Sequence, residues 1–161
     1  MEGVGLRAEK LSAHLEDGPL LVAAAWLHDV GYAPALATHL FHPLDGARAL
    51  RELVGDQRLC GLVAYHSAAA FEASALGLAD ELRTEFSDEE GLTRDLLWYL
   101  DMTTSPDGET VTFDDRMNEV RTRYPDDHYV IRALDAGMTE RRLAVDRAET
   151  WLAEAGLAAQ V

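Results

Sequence analysis

AAWLHDVGY, residues 24–32, is the stretch on which the reading of this chain turns. Leu20 to Leu27 form an unbroken apolar run, and His28 and Asp29 follow side by side before Gly31. Such a run with a glycine stop predicts a buried helix over residues 20–30. An imidazole and a carboxylate delivered together from that helix need partners, because burying a charge alone is costly. A His–Asp hydrogen bond closing on itself at the helix end is one answer. A divalent metal is the other, since neutral imidazole suits transition metals and a carboxylate neutralises their charge.

Outward from this helix the chain reads as helical throughout. Residues 4–16 carry an apolar stripe at Leu6, Leu11 and Leu15, closed by Gly18-Pro19. Pro43 favours the first turn of a helix running to about Val54, with Gly55 as its stop. Asp56 is placed to cap the segment DQRLCGLVAYHSAAAF, residues 56–71. Ser87-Asp88-Glu89-Glu90 has the pattern of a capping box and predicts a helix reaching Asp101. Thr112-Phe113-Asp114-Asp115 repeats that logic for a helix ending before Tyr124-Pro125. One or two more helices follow Asp127, with Ala144, Ala148, Trp151, Leu152 and Ala155 in helical period before Gly156. No strand-like alternation exceeds four residues. The expectation is an all-α single domain over residues 1–161, with a core of about 4–125 and a helical extension of about 127–156.

Composition narrows the function. The chain has 161 residues, of which 48% are hydrophobic and 27% charged, enough for a sizeable core. Cys60 is the single cysteine, so an internal disulfide and a thiolate zinc site are excluded, and a reducing cytoplasm is the natural setting. The N-terminal MEGVGLRAEKL lacks the basic start and apolar centre of a signal peptide. No apolar run is expected to reach the roughly 20 residues that span a bilayer. A net charge of −15 argues against nucleic-acid polymers and anionic membranes as partners. An acidic protein handling a phosphorylated molecule needs local positive charge, which a metal cluster supplies.

Three more polar residues break apolar context as the first pair does. His42 lies in FHPLDGARAL (41–50), His66 in LVAYHSAAAFEA (62–73) and Asp101 in LLWYLDMTTSPDGE (96–109). Singly they read as an N-terminal cap, a core histidine bonded to a carbonyl, and a cap for the following turn. Together with His28 and Asp29 they make three histidines and two aspartates, all near helix ends. Such an oxygen- and nitrogen-rich set suits one or two divalent ions of iron, manganese, cobalt, nickel or magnesium.

The order His28-Asp29, His42, His66, Asp101 resembles the HD-domain superfamily, whose two-metal members follow H…HD…H…H…D. The segments HPLDGA, LVAYHS and DMTTSPDG resemble one bacterial branch of that superfamily, mainly metal-dependent phosphohydrolases, and the resemblance spans nearly the whole chain. It implies a helical bundle in which Asp29 bridges two metals. His28 and Asp101 would hold the first, His42 and His66 the second. It further implies a phosphohydrolase cleaving a small phosphoester, nucleotides included, with a metal-bound hydroxide, Asp29 being the central catalytic ligand. The same ligand order also serves mixed-valent di-iron oxygenases of this fold. A degenerate member that binds a ligand without turnover is a third reading.

The resemblance has two departures. The family's first metal-binding histidine would fall one position ahead of Met1, which implies a longer natural start or an incomplete first-metal shell. His14 lies only 14 residues before His28 (28 − 14 = 14) and reads as surface or rim. Tyr32 stands where many HD hydrolases carry a lysine. Among the other residues, Arg48 is a candidate for substrate phosphate, having planar donor geometry, or else a partner of Asp45 one turn away. Thr104, with Thr103 and Asp107, is a candidate for the pocket mouth, although Ser105-Pro106-Asp107-Gly108 also reads as a plain turn. Tyr65 and Phe71 could stack on a base, with core packing the simpler role. The runs Asp88-Glu89-Glu90 and Asp114-Asp115 read as charges favoured at helix N-termini.

Overall fold

In the computed structural model, which describes residues 2–161, ten α-helices follow one another along the chain. They are α1 (Glu2–Ser12), α2 (Gly18–Leu27), α3 (His42–Leu53), α4 (Gln57–Tyr65), α5 (Ala69–Leu76), α6 (Ala79–Glu85), α7 (Leu92–Met102), α8 (Phe113–Thr122), α9 (Tyr129–Ala136) and α10 (Met138–Glu154). Short 3₁₀ turns at Val30–Tyr32 and His66–Ala68 follow α2 and α4. Among the described residues there is no β-strand, only an isolated bridge between Thr104 and Thr110. The protein is an all-α single domain.

Helix α7 is the central element. Thr93 to Leu100 and Met102 are all buried, and the helix packs against α1, α2, α10 and the 3₁₀ turn at His66. The charged residues within it are answered by ion pairs. Arg94 donates to Asp88 at 3.0 Å, and Asp95 accepts two bonds from Arg147 of α10 at 2.6 and 2.8 Å. Helix α9 packs on α5, and Leu134, Ala144, Val145, Ala148 and Leu152 belong to the same hydrophobic core as α2 and α7. The C-terminal helices therefore share the core with the rest of the chain.

Several helix boundaries follow the sequence signals and others depart from them. Asp56 accepts the Leu59 N–H at 3.0 Å and Thr112 accepts that of Asp115 at 3.1 Å, as capping chemistry requires. The capping box at Ser87 does not form. Helix α7 starts only at Leu92, because Asp88 is drawn to Arg94 and Glu89 to Arg58, which also binds Asp17. Gly18-Pro19 opens α2 rather than closing α1, which ends at Ser12 and leaves His14 exposed beyond it. The run Gln57–Leu76 is apolar enough in composition to span a bilayer, with a mean hydropathy of 1.2, contrary to the expectation above. In the fold it is two helices broken at His66–Ala68, and 61% of it is buried against the core.

Two close approaches set the position of the site. A Cβ on Gly31 would lie 2.1 Å from the His42 carbonyl oxygen and 2.7 Å from the Gly46 nitrogen, so the turn after Asp29 rests directly on the first turn of α3. Only glycine permits that backbone contact. The second is the break at His66–Ala68, where Ser67 (φ 50°) and Ala68 (φ 61°) both adopt left-handed backbone. Non-glycine residues pay about 1–2 kcal/mol each for that conformation. Tertiary hydrogen bonds hold it. The Ser67 hydroxyl donates to Asp101 at 2.5 Å, and Arg141 Nε of α10 donates to the Ser67 carbonyl at 3.0 Å.

Candidate metal centre

The C-terminal ends of α2, α4 and α7 and the N-terminal end of α3 deliver His28, Asp29, His42, His66 and Asp101 to one place. Asp29 lies at its middle, with its two carboxylate oxygens facing different neighbours. Oδ2 is 3.4 Å from His28 Nε2, which is itself 3.5 Å from Asp101 Oδ1. Oδ1 is 3.4 Å from His42 Nε2 and 3.9 Å from His66 Nε2, and those two nitrogens are 3.1 Å apart. Ligand bonds of about 2.1 Å place donors roughly 3.0 Å apart at right angles and roughly 3.4 Å apart at the tetrahedral angle. The separations around Asp29 Oδ1, from 3.1 to 3.9 Å, are within reach of donors to one ion. Asp29, His42 and His66 form a cluster able to hold a metal ion, their donor atoms all lying within 4.8 Å of one another.

The imidazoles are oriented for this from behind. His28 Nδ1 is 2.8 Å from the Ala25 carbonyl and His66 Nδ1 is 2.6 Å from that of Val63. A carbonyl only accepts, so Nδ1 carries the proton in both rings and the Nε2 lone pair points into the cluster when the ring is neutral. A backbone carbonyl behind a histidine is the usual device for fixing the tautomer of a metal ligand. His42 is held differently, by the Tyr32 ring stacked on it at 3.9 Å and 15°. Tyr32 therefore packs on a cluster member and supplies no charge.

The electrostatics show what the cluster wants. Burial opposes a charge on His28, but Asp101 and then Asp29 override it and hold the imidazolium up to about 10. Burial also works to raise Asp29 and Asp101, yet the neighbouring His28 keeps both carboxyls below the usual carboxylate range. His42 is pushed down to about 3 by burial and by His66, and His66 is lowered by burial and by His28. Two ionised carboxylates thus face one cationic and two neutral imidazoles in a partly buried cluster. A divalent cation meets the same demand with lone pairs already aimed at it, so the donor set fits a metal.

A cleft of about 380 Å³ opens over the cluster, walled by Asp29, His42, His66 and Asp101 and, on the far side, by Arg116, Arg123, Tyr124 and Tyr129. The two candidate substrate residues lie elsewhere. Arg48 binds Glu85 and Glu81 and sets its Nη1 3.2 Å from both ring nitrogens of His39, away from the cleft. It does not pair with Asp45 either, whose buried carboxylate accepts from Thr38 and from the backbone and ring of His39. Thr104 is buried; its hydroxyl donates to the Leu100 carbonyl and accepts from Arg7, both at 2.6 Å. Thr103 serves the same guanidinium. Asp107 lies in the turn from Ser105 to Gly108, closed by the Gly108 N–H at 2.9 Å. Tyr65 donates to the Phe86 carbonyl and Phe71 packs on the core, so neither faces a ligand. The cations of the cleft come from α8 and its end, Arg116 and Arg123, both paired with Glu119. Their only mark in the sequence is a charged stretch, Arg116 to Arg123, of a kind that many solvated helices share. Glu72, also in the wall, is a carboxylate within an Ala-rich run and carries the same signal that singles out His66.

Compared with known proteins, the chain matches no protein-family model, and no curated protein and no solved structure matches it.

Proposed function

We propose that this chain is a metal-dependent phosphohydrolase acting on a small phosphorylated molecule, with Asp29 bridging two divalent ions. The observation that carries the reading is the division of the Asp29 carboxylate, one oxygen toward His28, which also touches Asp101, and the other toward His42 and His66, each at 3.4 Å from its nearest imidazole. The ligand order, which resembles that of the HD-domain superfamily, supports it. His28, Asp29 and Asp101 would hold one ion, and Asp29, His42 and His66 the other. Bound divalent ions supply Lewis acidity to phosphoryl oxygens and acidify a coordinated water.

The protein's own part is positioning. The Ala25 and Val63 carbonyls keep two imidazoles in the ligating tautomer, and the Ser67 hydroxyl steers Asp101. Two divalent ions exceed the charge of two carboxylates and leave the floor of the cleft positive, which suits a phosphate in a protein of net charge −15. Arg116 and Arg123 add positive charge to the opposite wall. A cleft of this size admits a small molecule, and the acidic surface disfavours nucleic-acid polymers. The test is a panel of phosphomonoesters and phosphodiesters given to protein reconstituted with Mn²⁺, Fe²⁺, Co²⁺, Ni²⁺ or Mg²⁺. Release of phosphate or alcohol that stops on chelation supports the reading. Turnover that requires dioxygen, or none with any metal, refutes it.

A further inference from the structure

A second, narrower recess of about 130 Å³ opens beside the metal cluster and shares Ser67, Glu72, Asp101, Arg116, Val120 and Val130 with the cleft. Its remaining wall is mainly apolar, formed by Met102, Met117, Ala133 and Leu134 beside Arg141. A cavity of about 150 Å³ lined by aliphatic groups accepts a benzene ring, so this recess suits a compact aliphatic group of slightly smaller size. Glu72 stands where the two spaces meet. Among the described residues no hydrogen bond reaches its carboxyl. An acid left free at the junction of a cleft and an apolar recess is placed to serve a ligand rather than the fold.

We propose that Glu72 is the proton donor to the leaving oxygen of the substrate, a phosphoester whose compact aliphatic alcohol occupies the recess. The inference rests on the hydrolase reading above and deepens it. As the bond from water oxygen to phosphorus forms, the bond from phosphorus to the ester oxygen breaks and its electron pair passes to that oxygen. The Glu72 carboxyl gives its proton to this oxygen, releasing the alcohol. The proton of the attacking water goes to solvent, from which Glu72 is recharged, so water and ester yield alcohol and phosphate. An apolar recess solvates an alkoxide poorly, which is why the departing group needs a proton there.

The groups facing Glu72 agree with this role. Burial pushes its carboxyl up, and Arg141 of α10 works against that. Arg141 is itself buried, and its guanidinium binds the Ser67, Ala133 and Leu134 carbonyls. Tyr32 and Tyr129 feel the Glu72 carboxylate, and Tyr124, Arg116, Arg123 and the cluster residues Asp29, His42, His66 and Asp101 are the other titratable groups lining the same cleft.

The test compares Mn²⁺-loaded wild type and Glu72→Gln on two esters, isobutyl phosphate and 4-nitrophenyl phosphate. The nitrophenolate leaves without a proton, and isobutanol does not. General acid catalysis contributes about 10²–10⁴-fold, so the ratio of isobutyl to nitrophenyl turnover should fall by about 100-fold or more in the variant. Independently of activity, ¹³C NMR of glutamate-labelled protein should show one carboxyl titrating above the other glutamates, and Glu72→Gln should remove it. An unchanged ratio, or the lack of such a signal, overturns the assignment while hydrolysis by wild type stands. Wild type that hydrolyses neither ester overturns the hydrolase reading and the assignment with it.

Discussion

Ser67 gives the sharpest test of how the fold shapes the cluster, because one side chain combines a strained backbone with a bond to a ligand. It sits at φ 50° and donates to Asp101 at 2.5 Å. Removing the hydroxyl in Ser67→Ala leaves the strain and loses a hydrogen bond to a charged acceptor, a cost of about 1.5–3 kcal/mol. Ser67→Gly loses the same bond but relieves left-handed strain of about 1–2 kcal/mol. Part of that relief is cancelled by the extra freedom of glycine in the unfolded chain, about 0.5–1 kcal/mol. The glycine variant should therefore be about 0.5–1 kcal/mol more stable than the alanine variant, although both are less stable than wild type. For a chain of this length each kcal/mol shifts Tm by about 2–4 °C. Thermal unfolding in chelator should place Ser67→Ala roughly 3–12 °C below wild type, with Ser67→Gly about 1–4 °C above the alanine variant. Equal Tm values for the two variants would refute the strain argument. An unchanged Tm in Ser67→Ala would refute the hydrogen bond to Asp101.

Asp45 and Thr104 test assignments made from hydrogen bonding alone. The His39 ring and N–H and the Thr38 hydroxyl hold the Asp45 carboxyl below the usual range, although burial works to raise it. Its contribution is therefore present above the unfolded-state pKa of about 3.9 and is lost as pH falls through the lower folded-state value. Asp45→Asn should lose about 1–3 kcal/mol in urea unfolding at pH 7, the gap narrowing below about pH 4; a gap that widens on acidification would contradict it. Thr104→Val should cost a similar 1–3 kcal/mol through the Arg7 and Leu100 contacts while leaving KM unchanged. A raised KM with normal stability would return Thr104 to the substrate site.

The site was more legible than the backbone that carries it. His28, Asp29, His42, His66 and Asp101 each interrupt apolar context, and a buried polar group in such context needs a partner wherever the helices cross. The break after His66 had no such mark. The apolar run before it and the Ala-rich run after it read as one continuous helix, and the interruption depends on Asp101 and Arg141, which are remote along the chain. The capping box at Ser87 failed for a similar reason, since Arg94 and Arg58 claim its acids. Arg48 had the right chemistry for phosphate, but Glu81 and Glu85 of α6 neutralise it, and that helix was not anticipated. Side-chain hydrogen bonds and ion pairs between elements decided these outcomes, and local pattern does not encode them.

Mn²⁺ binding to chelator-stripped wild type and Asp29→Ala, counted by equilibrium dialysis, bears most directly on the central claim. A carboxylate that offers one oxygen to each donor pair serves both ions, so wild type should bind two per chain and Asp29→Ala none, with His14→Ala like wild type. Asp29→Ala that retains its metal, or wild type that binds none, would contradict the account.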